Sequence, residues 1–173
     1  MNPPPASDPA ESSTVFPPSP AGYRPCVGIL LIDNLGKIFV GERLDTPGAW
    51  QMPQGGIDDD ETPVEAAFRE LKEETGIDAA TLLGISAEWR NYDLPPELAA
   101  TAWGGRFRGQ TQLWAAFRFT GTDDEIDIAT EHPEFGQWKW TGPDTLLEEI
   151  VDFKRALYVQ VLAEFAEHIG QIT

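Results

Sequence analysis

This sequence predicts an α/β fold: one domain in which a mixed β-sheet is sandwiched between α-helices. Three observations carry the expectation. Apolar runs of strand length recur between Cys26 and Trp140, an amphipathic helical pattern interrupts them at mid-chain, and further helical periodicity closes the C-terminal end. A chain of 173 residues, 41% hydrophobic and with six tryptophans, is long enough to bury one sizeable core.

Residues 1–22 hold seven of the fifteen prolines among Ser, Ala and Glu. They predict a disordered, proline-rich extension ahead of a domain spanning 23–173. The start lacks the basic cluster and apolar run of a secretory leader, and no later stretch suits a membrane span, so the expected location is cytoplasmic. Cys26–Ile32 is a continuous apolar run and predicts a buried strand, Asp33-Asn34-Leu35-Gly36 a turn, and Lys37–Arg43 a partner strand. The lone Cys26 permits no intramolecular disulfide and is expected to be a buried small hydrophobe. Asp45-Thr46-Pro47-Gly48 breaks the pattern. Beyond the central helix, Leu82–Tyr92 predicts a strand, and Leu94–Gly109, with Pro95-Pro96 and Gly104-Gly105, an exposed connection. Gln110–Phe119 is the best internal strand, Thr122–Glu134 a loop, and Gln137–Trp140 a further strand. Pro143 starts a short helix ending near Ile150. A last helix over Phe153–His168 carries Ala156, Leu157, Val161, Leu162 and Phe165 as its apolar stripe.

The most informative segment is GGIDDDETPVEAAFRELKEETGI, from Gly55 to Ile77. Thr62 is a good N-cap, Pro63 suits the first helical position, and Glu65 completes a capping box. Gly76 sits where a helix ends in the left-handed conformation. A helix over Pro63–Thr75 follows, with Val64, Ala67, Phe68 and Leu71 facing inward. Glu70, Glu73 and Glu74, spaced i, i+3, i+4, form a neighbouring stripe. Such like charges repel by roughly 0.2–0.5 kcal/mol per i,i+4 pair, and a hard divalent cation with a preference for oxygen ligands relieves them. Arg69 is placed to tie down a carboxylate from the preceding loop, with Glu61 the candidate.

Net charge excludes some functions. With 29 acidic and 12 basic residues the chain carries −17, which argues against extended nucleic-acid binding, since that needs a cationic surface. Contact with a few terminal nucleotides is compatible with it. There is no G-x-S-x-G and no P-loop, and His132 and His168 are too few and too isolated for a histidine-built zinc centre.

Gly55, Glu61, the run Arg69-Glu70-Leu71-Lys72-Glu73-Glu74 and Gly76 together resemble the signature of the Nudix hydrolases. The likeness extends over roughly Gly22 to Phe165. Tyr23-Arg24-Pro25, Trp50 to Gly56, Tyr92-Asp93-Leu94-Pro95, Arg108 to Gln112, Pro133-Glu134-Phe135 and Phe153-Lys154-Arg155 are similar to the bacterial RNA pyrophosphohydrolases and their plant-type dinucleoside tetraphosphate hydrolase relatives. The resemblance implies a Nudix fold and hydrolysis of a phosphoanhydride bond with Mg2+, for which Mn2+ or a similar divalent ion can substitute. It implies metal binding by Glu70, Glu73, Glu74 and Glu134, with Gly55 supplying a carbonyl, and catalytic roles for Glu73, Glu74 and Glu134. Glu74 and Glu134 are both candidates for the general base. Arg24, Arg43 and Lys154 are expected to meet phosphates, Val151 and Phe153 to flank a base, and Glu61, Arg69 and Gly76 to build the motif. The implied partner is the 5′ end of RNA or, alternatively, a dinucleoside polyphosphate such as diadenosine tetraphosphate. A non-catalytic nucleotide-binding module is the third reading, against which stands an intact set of signature carboxylates. Two positions depart from the pattern: Leu113 stands where many relatives have lysine, and Phe107 where tyrosine is common, so a cation and a hydroxyl near the cleft are expected to be missing. Gln110 and Gln112 alternate on one strand face, either pointing into the site or capping the sheet.

Overall fold

The computed structural model describes residues 16–169. A ten-residue strand, β1 (Tyr23–Ile32), forms the spine and is followed by β2 (Ile38–Arg43) and two short strands, β3 (Trp50–Gln51) and β4 (Gln54–Gly56). The signature helix α1 spans Pro63–Thr75. After it come β5 (Ala80–Ile85), β6 (Arg90–Asp93), the single turn α2 (Pro96–Ala99), β7 (Gly109–Phe119) and β8 (Phe135–Thr141). Helices α3 (Pro143–Glu149), α4 (Asp152–Glu164) and α5 (Ala166–Ile169) complete the chain. The strands make one mixed sheet in the order β3-β2-β1-β7-β5, with β4 also paired to β1, β6 to β7 and β8 to β2. The β1–β7 pair is parallel and in register from Tyr23–Gly109 to Ile32–Arg118, while the other pairs are antiparallel.

Alternation along the two central strands sorts the core into two layers. Val27, Ile29, Leu31, Ala115 and Phe117 pack against Ala66, Ala67 and Leu71 of α1. Leu30, Ile32, Trp114 and Ala116 pack against Leu157, Tyr158, Val161 and Leu162 of α4. The expected sandwich is therefore present, and Cys26 is fully buried as expected, its thiol pushed up to about 11 chiefly by burial.

Helix α1 has the predicted bounds. Thr62 Oγ1 accepts from Glu65 N–H at 3.2 Å, Glu65 Oε2 accepts from Thr62 N–H at 3.0 Å, and Gly76 closes the helix at φ 72°. Its buried face differs from the expectation. Phe68 is 43% exposed, touching Phe117 edge-on, whereas Ala66, Glu70 and Glu74 are buried with Ala67 and Leu71. Ala66 and Ala67 are fully buried against the sheet, and the two acidic side chains go inward with them while the phenyl ring stays half-exposed.

The expected Leu82–Tyr92 strand is two strands. Ser86 N–H donates to Trp114 C=O at 2.8 Å and Ser86 Oγ accepts Trp114 N–H at 2.8 Å, so a side chain replaces the ladder partner and the chain steps off the sheet. The connection after Leu94 is partly ordered as α2 and a 3₁₀ turn over Ala102–Gly105. The last helix is interrupted at Phe165, and its Ala156 is exposed while Lys154 and Tyr158 are buried. Most of the proline-rich extension, residues 1–15, lies outside the described residues. Its remainder is fastened to the domain, with Trp89 Nε1 donating to Pro17 C=O at 2.6 Å. Among the described residues no helix is long and apolar enough to cross a membrane.

The tight spine is open to test. A Cβ at Gly28 would overlap the ring of Trp114, a fully buried residue. Gly28→Ala is expected to destabilise the fold by about 2 kcal/mol, read as a lowered urea midpoint at unchanged m-value.

Candidate functional site

A cleft of about 930 Å³ opens where the C-terminal half of α1 meets β4, β6 and the N-terminus of α4. Every residue singled out for metal or substrate lines it: Gly55, Glu70, Glu73, Glu74 and Glu134, together with Arg24, Arg43, Val151, Phe153 and Lys154. Chain segments more than a hundred residues apart thus converge on one site.

At the acidic end, Arg69 organises the signature. Its Nε donates to Glu61 Oε2 at 3.0 Å, its Nη2 to the other Glu61 oxygen and to Gly56 C=O at 2.8 Å, and its Nη1 to Glu70 Oε1 at 2.8 Å and Glu73 Oε2 at 3.1 Å. The expected Arg69–Glu61 tie is present as a two-pronged pair, and it holds the Glu61 carboxyl below its ordinary range. Glu70 lies directly over Gly55, where any Cβ would overlap its carboxylate. Burial raises the Glu70 carboxyl, against the pull of Arg69. Glu74 is 7% exposed and accepts only the Gln54 N–H, at 3.3 Å, among the described residues. Burial, then the neighbouring Glu70 and Glu134 charges, raise it well above the usual carboxylate range.

These residues fit a hard divalent cation. The donors are carboxylate oxygens, one of them buried beside two like charges, and such a charge needs a partner. Among the described residues no three Asp, Glu, His or Cys side chains close on one point as a preformed cage. Arg69 instead draws Glu70 and Glu73 towards itself.

Beyond the carboxylates lie the cations. Lys154 is 2% exposed and donates to Gln51 Oε1 at 3.1 Å; Arg43 Nη1 reaches the same oxygen at 3.5 Å. Burial, followed by the Arg43 charge, holds Lys154 down to about 8. Arg43 also donates to Asp45 from Nε at 2.8 Å and Nη2 at 2.5 Å. Arg24 stands across the cleft with its guanidinium 5.4 Å from the ring centre of Trp103.

The walls include residues that motif reasoning left without roles. Tyr92 and Phe153 lie 5.9 Å apart, tilted by 36°, and the Lys154 ammonium sits 5.4 Å from the Tyr92 ring centre. Gln54 Nε2 donates to Gln110 Oε1 at 3.3 Å, while Gln112 Nε2 donates to Gln54 Oε1 at 2.9 Å and Gln110 Oε1 at 2.8 Å. Gln110 therefore faces the cleft, and buried Gln112 braces it, with Trp114 Nε1 donating to Gln112 Oε1 at 3.0 Å. Trp103 occupies the left-handed region at φ 51°, ψ 35°, which costs a side-chain-bearing residue about 1 kcal/mol. An aromatic residue ahead of Gly104-Gly105 was its only signal in the sequence. The two departures have different outcomes. Leu113 is fully buried in register with Val27, whose side chain packs on the α1 side, so the leucine belongs to the core and leaves no gap in the cleft wall. Phe107 lies behind Trp103, ring centres 6.2 Å apart, so the expected missing hydroxyl is not at the cleft surface.

Comparison with known proteins accords with this geometry. A NUDIX domain matches residues 22–161. The RNA pyrophosphohydrolase of Rhodospirillum rubrum is 58% identical over 152 residues, covering 87% of this chain and 92% of that one. That of Cereibacter sphaeroides is 53% identical over 156 residues, covering 88% and 96%. Arabidopsis thaliana Nudix hydrolase 26, chloroplastic, is 47% identical over 156 residues, 87% of this chain and 72% of that one. Among solved structures, the E. coli dihydroneopterin triphosphate pyrophosphohydrolase superposes with a TM-score of 0.63 at 19% identity, covering 82% of this chain and 98% of that one. A C. elegans Ap4A hydrolase does so with 0.60 at 19% identity, covering 83% and 98%; at such identities these two bear on the fold alone. With a domain match over most of its length and relatives this similar along nearly their whole chains, the protein belongs to the Nudix hydrolase family.

Proposed function

We propose that this protein is a cytoplasmic, magnesium-dependent pyrophosphohydrolase that removes pyrophosphate from the 5′-triphosphate end of RNA and leaves a 5′-monophosphate. The observation that carries the reading is that a single cleft holds buried carboxylates, cations and paired aromatic rings. The names of the Rhodospirillum and Cereibacter relatives support it.

Glu70, Glu73, Glu74 and Glu134, with the Gly55 carbonyl, would hold Mg2+, or Mn2+ in its place, which supplies charge neutralisation and a bound water of lowered pKa. Arg24, Arg43 and Lys154 bind and orient the phosphates and offset the charge that develops on the departing pyrophosphate. Val151 and Phe153 flank the first base, where stacking tolerates any base identity. Water oxygen forms the new bond to phosphorus, the α–β bridging bond breaks, and the water proton passes to a carboxylate. Glu74 and Glu134 are the two groups that can take it, and burial makes Glu74 more basic than an ordinary carboxylate. Arg69 and Glu61 keep this wall in place. An overall charge of −17 confines contact to the first few nucleotides.

The second reading is hydrolysis of a dinucleoside polyphosphate such as diadenosine tetraphosphate. It is favoured by aromatic surface at two places in the cleft, Tyr92 with Phe153 and, separately, Trp103.

Both readings meet in one competition. With Mg2+ present, a 5′-triphosphorylated RNA with an unpaired end is expected to release pyrophosphate faster than diadenosine tetraphosphate is cleaved at matched concentration; the reverse order would replace the first reading with the second. Glu73→Gln and Glu74→Gln are each expected to lower kcat at least about 100-fold at nearly unchanged melting temperature, and to weaken the stabilisation of the free protein by added Mg2+. Full activity in either would remove the metal-site assignment. Lys154 gives a pH signature. Its folded value near 8 lies below the ordinary lysine value of 10.5, so between these values the unfolded chain holds more protons and stability rises with pH. Lys154→Met is therefore expected to stabilise the fold by about 2 kcal/mol at pH 7. The gain should fade above pH 8 and vanish once the unfolded lysine has also lost its proton, while substrate KM rises.

A further inference from the structure

We infer that Trp103 is a positioning residue, which holds the Arg24 guanidinium ready for substrate phosphate at the lip of the cleft; the inference rests on the reading of Arg24 as a phosphate-binding cation. Among the described residues, Arg43, Arg69, Arg90, Arg108, Arg155, Lys72 and Lys139 each face a carboxylate. Arg24 does not. Its side-chain contacts are Cys26 Sγ, accepting from Nη1 at 3.5 Å, and the Trp103 ring at 5.4 Å. In a chain with 29 acidic residues and 12 basic ones, a guanidinium lining an acidic cleft without a carboxylate partner has to be kept there.

The surroundings do this from two sides. Gly56 leaves the space in which Arg24 Nη2 lies, since a Cβ on that glycine would stand 2.6 Å from it. Trp103 supplies a second surface. The indole is aimed by a run of three left-handed residues, Trp103, Gly104 and Gly105. Arg106 Nε donates to the Trp103 carbonyl at 3.2 Å, and Phe107 braces the ring edge-on. The backbone strain at Trp103 is thus stored where it presents the ring. A cation held over an aromatic ring differs from an ion pair in its consequence. The ring attracts the guanidinium without neutralising it, so its charge stays available to phosphate oxygens. Without the ring, the long Arg24 side chain is free to swing towards the carboxylates lining the same cleft.

Trp103 belongs to neither core cluster, so its variants are expected to melt with the wild type. The test uses the Mg2+-loaded protein, a 5′-triphosphorylated RNA and the variants Trp103→Leu, Trp103→Phe, Arg24→Ala and the Trp103→Leu/Arg24→Ala pair. Trp103→Leu is expected to raise KM about fivefold with kcat changed less than about twofold, and Trp103→Phe to restore most of the loss by returning a ring. In the Arg24→Ala background, Trp103→Leu is expected to add nothing, because its effect passes through Arg24. An unchanged KM in Trp103→Leu beside a raised one in Arg24→Ala would overturn the inference and leave the reading of Arg24 standing. An equal KM rise from Trp103→Leu with and without Arg24 would overturn it too. An unchanged KM in Arg24→Ala would remove the reading of Arg24 and the inference with it.

Discussion

Carboxylates crowded on one helix face, two of them turned into the protein, set the constraint around which this structure is arranged. Glu70 and Glu74 are buried within one turn of each other, with Glu73 beside them. Arg69 answers part of that repulsion from inside the same helix. One guanidinium uses its donors on Glu61, Glu70, Glu73 and the Gly56 carbonyl, and so fixes the loop before the helix against the helix itself. Its donors do not reach Glu74, which remains the least compensated carboxylate of the group. Burying an unpaired charge costs a fold heavily, and burial accordingly raises the Glu74 carboxyl, on the wall of the cleft.

Two cations of the cleft, Lys154 and Arg24, are held differently from most of those on the surface. Most basic side chains outside the cleft lie against a carboxylate, as Arg108 does against Asp93 and Lys139 against Glu149. Within it Arg43 keeps a carboxylate, Asp45, but Lys154 has an amide oxygen and the Tyr92 ring, and Arg24 a thiol and an indole. These partners hold a cation without cancelling it. Burial depresses the Lys154 ammonium, so an anion arriving beside it finds a charge poorly solvated by water. A chain of net charge −17 can in this way present local positive potential to a polyphosphate.

The sheet supplies the rigidity that these contacts need. The parallel β1–β7 pair carries Arg24 beside Gln110 at its start and is held between α1 and α4 further along. A line of amides, Gln54, Gln110 and Gln112, crosses from β4 to β7 and ends on the Trp114 indole. Gly28 makes room for that indole. Tyr158 of α4 accepts the Met52 N–H through its hydroxyl at 3.0 Å and locks the opposite layer to the segment entering the signature. The cleft residues therefore stand on elements pinned from both faces of the sheet.

Local chemistry was legible in the sequence wherever the governing interaction is short-range. Thr62, Pro63, Glu65 and Gly76 determine the limits of α1 because caps act within a turn, and the pairing of Arg69 with Glu61 follows from their closeness along the chain. The candidate site residues were legible through a resemblance to a family, and the fold brings all of those assigned to metal or substrate to one cleft. What the sequence did not disclose depends on contacts between distant segments. The side of α1 that packs on the sheet holds Ala66 and Ala67, and with them Glu70 and Glu74, while Phe68 stayed half-exposed. The break at Ser86 needed the partner strand, the burial of Leu113 needed its register with Val27, and the place of Trp103 over Arg24 joins a turn to a strand far earlier in the chain. Periodicity reports that a face is apolar; only packing against a particular neighbour decides which face that is and which polar groups must go in with it.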